Sequence, residues 1–200
     1  MSAVVFDLGG VLVDWDPRHL YRKLFAGDEP AMEHFLTHVC TPEWNEELDA
    51  GRPFAEATAA LQRRFPEHAE LIAAFWERWD EMCPGPVAGG PHLLHEVKAE
   101  GLPVYALSNW SAETWPRVQH RFAFLSAFDG IVISGAVGVK KPDAAIYRHL
   151  IEAYALEPAA TLFIDDSARN VEGARRVGLQ AIRFESPRQL RRELVARAVL

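Results

Sequence analysis

The chain has 200 residues, of which 49% are apolar and 24% charged, and a net charge of −7. That balance requires a globular protein with a real core, either one large domain or a core domain carrying an insertion. The acidic excess and the lack of any Lys/Arg block argue against a nucleic-acid partner, and no apolar run approaches the ~18 residues of a membrane span.

Cys40 and Cys83 are too few for a disulfide framework, and neither stands in a Cys-x-x-Cys or Cys/His cluster. No basic-then-apolar leader opens the sequence, so a cytoplasmic location is the expectation. The stretch from Ala3 to Asp14 begins with Val4, Val5 and Phe6, an apolar run suited to a strand buried on both faces. Asp7 ends that run, and Gly9-Gly10 lets the backbone turn away from the sheet. A carboxylate at the C-terminal tip of a central strand lies where open α/β sheets bind ligands.

From Pro17 to about Cys83 the pattern predicts helices only. Leu20, Leu24 and Phe25 share a helical face, as do Phe35, Leu36 and Val39, then Ala57, Leu61 and Phe65, and then Leu71, Ile72, Phe75, Trp76 and Trp79. Pro30, Pro42, Pro53 and Pro66 fall near the starts of these segments, where a missing N–H costs little. The Cys83-Pro84-Gly85-Pro86 run reads as the hinge that closes this helical subdomain.

Beyond it, helices and strands alternate. A helix is predicted over Pro91 to Glu100 and a strand over Pro103 to Leu107 that ends in Ser108-Asn109. A helix from about Ala112 precedes a strand over Gly130 to Ser134. A helix opened by Pro142 runs through Ala155, and a strand over Thr161 to Ile164 ends in Asp165-Asp166. Ala168 to Val177 forms the next helix, Gln180 to Phe184 the last strand, and Pro187 to Ala198 the closing helix. Such alternation means βαβ units and a parallel sheet.

In a parallel sheet, residues just past the strand C-termini gather on one edge. Asp7, Ser108-Asn109 and Asp165-Asp166 all hold that position, and Lys141-Pro142 precedes a predicted helix start, where the helix dipole favours an anion. Carboxylates, a hydroxyl, a lysine and a helix N-terminus on one rim describe a phosphate-plus-metal site. Taken singly, each also has a plain structural use: Ser108 and Asp165-Asp166 as helix caps, Lys141 as a solvated lysine.

This order of motifs resembles the haloacid dehalogenase superfamily of aspartyl-nucleophile hydrolases. Phe6-Asp-Leu-Gly-Gly-Val-Leu12 is similar to its first motif, Leu107-Ser-Asn-Trp110 to the second, Gly138-Val-Lys-Lys-Pro142 to the third and Phe163-Ile-Asp-Asp-Ser167 to the fourth. The resemblance implies a Rossmann-like α/β core from residues 1–14 and 86–200, with residues 15–85 an α-helical cap inserted between the first two motifs. Within the superfamily the sequence resembles sugar-phosphate phosphatases of the glucose-1-phosphate type and the phosphatase domain of epoxide hydrolases.

The resemblance further implies Asp7 as nucleophile, forming an aspartyl-phosphate from a small phosphorylated metabolite. Mg²⁺ would be held by Asp7, the Gly9 carbonyl and Asp166, with Asp165 behind them or as an alternate ligand. Gly9, Gly10, Ser108, Asn109 and Lys141 would hold the phosphate, Lys141 as a point cation that also binds Asp7. Asn170 is expected to orient Lys141 or a carboxylate, or to be an ordinary helix-face residue. Oligomeric state is not legible.

One departure stands out. Most phosphatases of the superfamily carry a second Asp two positions after the nucleophile, as acid and base, and here that position is Gly9. A positioned acid/base is worth about 10²–10⁴-fold in rate. Three outcomes stay open: a substitute proton donor (Asp14, Asp16 or His19), a good leaving group such as an anomeric sugar phosphate, or slow turnover. Related sugar-phosphate phosphatases with Gly at this position favour hydrolysis. The rivals are a metal-independent 2-haloacid dehalogenase, against which the Asp165-Asp166 pair argues, and a weakly catalytic phosphate-binding protein on the same fold. For substrate contacts in the helical region, Trp15, Arg18, His19, Trp44 and Trp110 are the candidates, whereas Trp76 and Trp79 read as core. Trp44-Asn45-Glu46-Glu47 also reads as a helix face against the core domain.

Overall fold

The computed structural model describes residues 1–200. Strand β1 (Ala3–Phe6) leads to the short β2 (Val13–Asp14). Five helices follow: α1 (Arg18–Leu24), α2 (Glu29–His38), α3 (Pro42–Asp49), α4 (Phe54–Arg64) and α5 (Ala69–Glu77). The chain returns through β3 (Gly85–Pro86), α6 (Gly90–Ala99), β4 (Val104–Ser108), α7 (Trp115–Val118), β5 (Gly130–Ile133) and α8 (Ser134–Val137). It ends with α9 (Ala144–Ala153), β6 (Thr161–Asp165), α10 (Ala168–Arg176), β7 (Gln180–Arg183) and α11 (Pro187–Ala196).

Five strands form one parallel sheet in the order β5-β4-β1-β6-β7, a Rossmann-like α/β arrangement with β1 at its centre. Alternate residues of each strand enter different cores. Val4, Phe6, Ala106 and Ile164 face one side, while Val5, Leu107 and Phe163 face the other, so the strands are apolar throughout. The first of these cores continues without a break into the helical insertion, through Leu20, Tyr21, Phe35, Phe75 and Trp79.

Register sets the edge where chemistry is possible. Phe6 lies opposite Ala106 on one side and Ile164 on the other, so Asp7, the first residue past β1, and Asp165, the last residue of β6, stand side by side at the same edge. The Asp7 N–H still donates to the Ile164 carbonyl at 2.8 Å, which fixes its backbone as an extension of β1.

Several local expectations need correction. The insertion enters and leaves through an antiparallel ribbon, Val13 opposite Pro86 and Asp14 opposite Gly85, too short to leave a sequence pattern. The helix expected from Ala112 is the single turn α7, followed by a 3₁₀ turn over Ala123–Ala127. Ser134 begins the short helix α8, which Gly138 ends at φ +78°, rather than ending β5. Helix α9 starts at Ala144, not at Pro142, because the Asp143 carboxylate caps the Ala145 N–H at 2.9 Å. No helix is long and apolar enough to cross a membrane.

Candidate active site

A cavity of about 290 Å³ opens over the C-terminal edge of the sheet. Asp7, Gly9, Gly10, Ser108, Asn109 and Asp166 form its floor from the strand ends and the turn after β1. Trp15, Asn45, Asp49, Phe54 and Trp79 reach it from the insertion, and Trp110, Ser111 and Thr114 from the segment after β4.

Lys141 lies behind this floor and is 1% exposed. Its ammonium donates to Asp165 Oδ2 at 2.6 Å and to the Leu107 carbonyl at 2.9 Å, and forms an ion pair with Asp7 Oδ2 at 2.9 Å. Burial alone would lower its pKa, but the Asp165 and Asp7 carboxylates outweigh that and hold it above the ordinary lysine value. The expected anion-binding helix start beside it is absent, since Asp143 occupies that N-terminus. Lys141 therefore grips Asp7 from below and does not line the cavity.

Asn109 locks this lysine in place. Its Oδ1 accepts from the Lys141 N–H at 2.8 Å, and its Nδ2 donates to the Lys141 carbonyl at 3.0 Å. Asp165, fully buried, accepts from Lys141, from the Ser167 N–H at 2.8 Å and from Asn170 Nδ2 at 3.0 and 3.1 Å. Those bonds occupy both of its oxygens and turn it to Lys141 instead of the cavity. Asn170 thus orients a carboxylate.

Asp7 Oδ1 accepts from the Leu8 N–H at 2.7 Å. Burial pushes the Asp7 carboxyl up to about 8, with Lys141 pulling it back and Asp165 pushing it further. Asp166 is also raised, again by burial first and then by Asp165. The carboxylates of Asp7, Asp165 and Asp166 offer oxygens within 4.8 Å of one another. With all three ionised, one lysine would leave a surplus of two negatives, the charge a divalent cation neutralises. Gly10 completes the cradle: its φ is +74°, and a Cβ there would lie 2.6 Å from Asp166 Oδ2. The donor set is all oxygen, which suits Mg²⁺.

Two buried donors that line this cavity have no hydrogen-bond partner, Ser108 Oγ and Trp110 Nε1. An unmet buried polar group costs about 1–3 kcal/mol, which an anionic or hydroxylated ligand would recover.

Other candidates are elsewhere. Arg18 forms a bidentate pair with Glu33 at 2.5 and 2.8 Å and also meets Asp16, away from the floor. His19 pairs with Asp14 at 3.0 Å, and neither they nor Asp16 line the cavity. Trp44 packs edge-on against Phe75 within the insertion. Trp15 and Trp110 do reach the cavity, and so does Trp79, which stands 5.6 Å from the Trp110 ring and was expected only in the core.

Sequence reasoning missed Asp49, Asn45, Phe54, Ser111 and Thr114. Asp49 carried a faint signal. It is the last residue of α3, where the helix dipole disfavours a carboxylate, so its use had to lie outside the helix.

Residues 1–178 match the family model for haloacid dehalogenase-like hydrolases. The phosphatase MT3486 of Mycobacterium tuberculosis is 34% identical over 207 residues, covering 96% of this chain and 90% of its own. The sesquiterpene phosphatase astK of Aspergillus oryzae is 29% identical over 181 residues, covering 89% and 87%. Among solved structures, the HAD family enzyme BT-2542 of Bacteroides thetaiotaomicron, in complex with magnesium and inorganic phosphate, matches with a TM-score of 0.67 at 22% identity, covering 92% and 94%. At that identity the likeness is one of fold.

Proposed function

The chain belongs to the haloacid dehalogenase-like hydrolases, and from that premise we propose that it is a magnesium-dependent phosphatase of a small phosphorylated metabolite. The observation that carries this reading is one cavity floor bearing Asp7, Asp166, Gly10 and an unpartnered Ser108 hydroxyl, with the Lys141 ammonium fixed behind Asp7. Relatives named as phosphatases support the reaction class.

Asp7, the Gly9 carbonyl and Asp166 would hold Mg²⁺, whose charge would keep Asp7 ionised and lower its repulsion toward a phosphate. The Asp7 carboxylate attacks phosphorus and the alcohol departs, leaving an aspartyl-phosphate that water then cleaves. Lys141 keeps the attacking carboxylate aimed, and the Ser108 hydroxyl donates to a phosphate oxygen as charge moves onto it. The helical insertion serves as a cap: it supplies Trp15, Asn45, Asp49, Phe54 and Trp79 to the walls and limits entry of water.

A cavity of about 290 Å³ suits a small substrate body. The aromatic walls suit a stacking or apolar group, and Asn45, Asp49, Ser111 and Thr114 suit hydroxyls, so a sugar phosphate fits both. Asp166 on the floor, with an oxygen within 4.8 Å of Asp7, favours this reading over metal-free dehalogenation, which needs no second cation ligand there.

The test is phosphate release from p-nitrophenyl phosphate and from a panel of sugar, alkyl and prenyl phosphates. Release should require Mg²⁺, stop with a chelator and fall to background in Asp7→Asn. Chelator-insensitive chloride release from 2-chloropropionate, with no phosphate release, would replace this reading with the dehalogenase.

A further inference from the structure

Three titratable side chains line the cavity: Asp7, Asp166 and Asp49. The first two have roles on the floor, which leaves Asp49, at the end of α3, as the titratable group that the insertion brings to the cavity. Its placement is built rather than incidental. Its carbonyl accepts from Ser134 Oγ at 2.5 Å, and its own Oδ2 accepts from Asn45 Nδ2 at 3.1 Å. Ser134 Oγ also accepts from the Trp110 N–H at 2.9 Å, which ties the end of α3 to the cavity's other wall.

The charged groups around Asp49 are Glu46 on its own helix and Lys140 and Lys141 from the segment before α9. Glu46 is paired with Lys140 and lies 3.6 Å from Arg169. Burial pushes the Asp49 carboxyl up to about 7; Lys140 opposes this, Glu46 adds to it, and Lys141 and the Ser111 N–H oppose it. Both protonation states are thus accessible near neutrality, as acid–base exchange requires.

We propose that Asp49 does the proton work for which position 9 has no side chain. Resting on the phosphatase reading, the sequence of bonds is as follows. Protonated Asp49 gives its proton to the bridging ester oxygen as that P–O bond breaks and an Asp7 oxygen bonds to phosphorus, so a neutral alcohol leaves. The Asp49 carboxylate then takes a proton from the water that attacks phosphorus, and the Asp7–phosphorus bond breaks with its electron pair returning to Asp7. Asp49 ends protonated, ready for another cycle.

The test compares wild type with Asp49→Asn on p-nitrophenyl phosphate, whose leaving group needs no proton, and on an alkyl phosphate, whose leaving group does. For the variant, kcat on the alkyl ester should fall by about 10²-fold or more with KM little changed. The p-nitrophenyl ester should instead give a burst of one p-nitrophenolate per enzyme, followed by slow turnover. The alkaline fall of kcat/KM on the alkyl ester, centred near pH 7 in wild type, should vanish. A Cβ on Gly9 would meet nothing within 4 Å, so Gly9→Asp has room and should restore alkyl turnover to the Asp49→Asn protein.

Unchanged rates, or equal losses on both esters without a burst, would overturn the assignment. Loss of vanadate inhibition in the variant would do the same by giving Asp49 a structural role. A wild-type protein that hydrolyses neither ester would instead overturn the phosphatase reading itself.

Discussion

Gly10 shows how little room the floor allows. Its φ of +74° lies where a side chain strains the backbone, and its missing Cβ leaves the space that Asp166 Oδ2 fills. Gly10→Ala should therefore lower stability by about 1–2 kcal/mol and weaken magnesium binding by displacing Asp166. Thermal melting and a magnesium titration check the two effects separately. Gly9, one residue earlier, faces open space without a left-handed φ, so crowding does not impose its lack of a side chain. Lys141 marks the opposite extreme, a fully buried cation held between the carboxylates of Asp7 and Asp165.

At the scale of elements, the contact that matters is the docking of α3 on α8. Ser134, the first residue of α8, bonds the Asp49 carbonyl and the Trp110 N–H. Gly51, at φ +103°, brings the turn after α3 close to the Gly135 carbonyl. Lys140 reaches Glu46, and Glu113 accepts from the Phe54 N–H at 3.0 Å. Ser134→Ala would leave buried groups unmet, at a cost of about 1–3 kcal/mol, or roughly 2–4 °C of Tm per kcal/mol for a chain of this size. It should also lower kcat on alkyl phosphates, because the end of α3 that carries Asp49 is loosened. Melting curves and kinetics on the same preparation report both.

At the scale of the whole molecule, the excess of carboxylates at the sheet edge links stability to cation and pH. Magnesium at 100 times its Kd should raise stability by about 2.7 kcal/mol, an increment absent from Asp166→Asn. Asp49 adds a pH term of definite sign. Its carboxyl is raised from 3.8 to about 7 on folding, so between those values the folded chain keeps a proton that the unfolded chain has released. The stability this proton contributes is whole below about pH 4 and is lost as pH rises through about 7. Wild type should accordingly lose stability relative to Asp49→Asn over that range, as parallel melts from pH 4 to pH 8 would register.

The sequence by itself determined the parallel sheet and the chemically active residues at the ends of β1, β4 and β6, though not the short helix α8 or the β2–β3 ribbon. Val4-Val5-Phe6 followed by Asp7, and Leu162-Phe163-Ile164 followed by Asp165, are local patterns, and parallel strands bring such ends to one edge regardless of what surrounds them. Only the tertiary structure decided which side chains face the cavity. Asp165 and Asp166 are neighbours in sequence, yet one turns to Lys141 and the other to the cavity floor. Asp49, Phe54 and Trp79 read as ordinary helical residues because their use depends on how the insertion's core merges with one face of the sheet. That orientation is a sum over contacts between segments far apart in the chain, and no local periodicity records it.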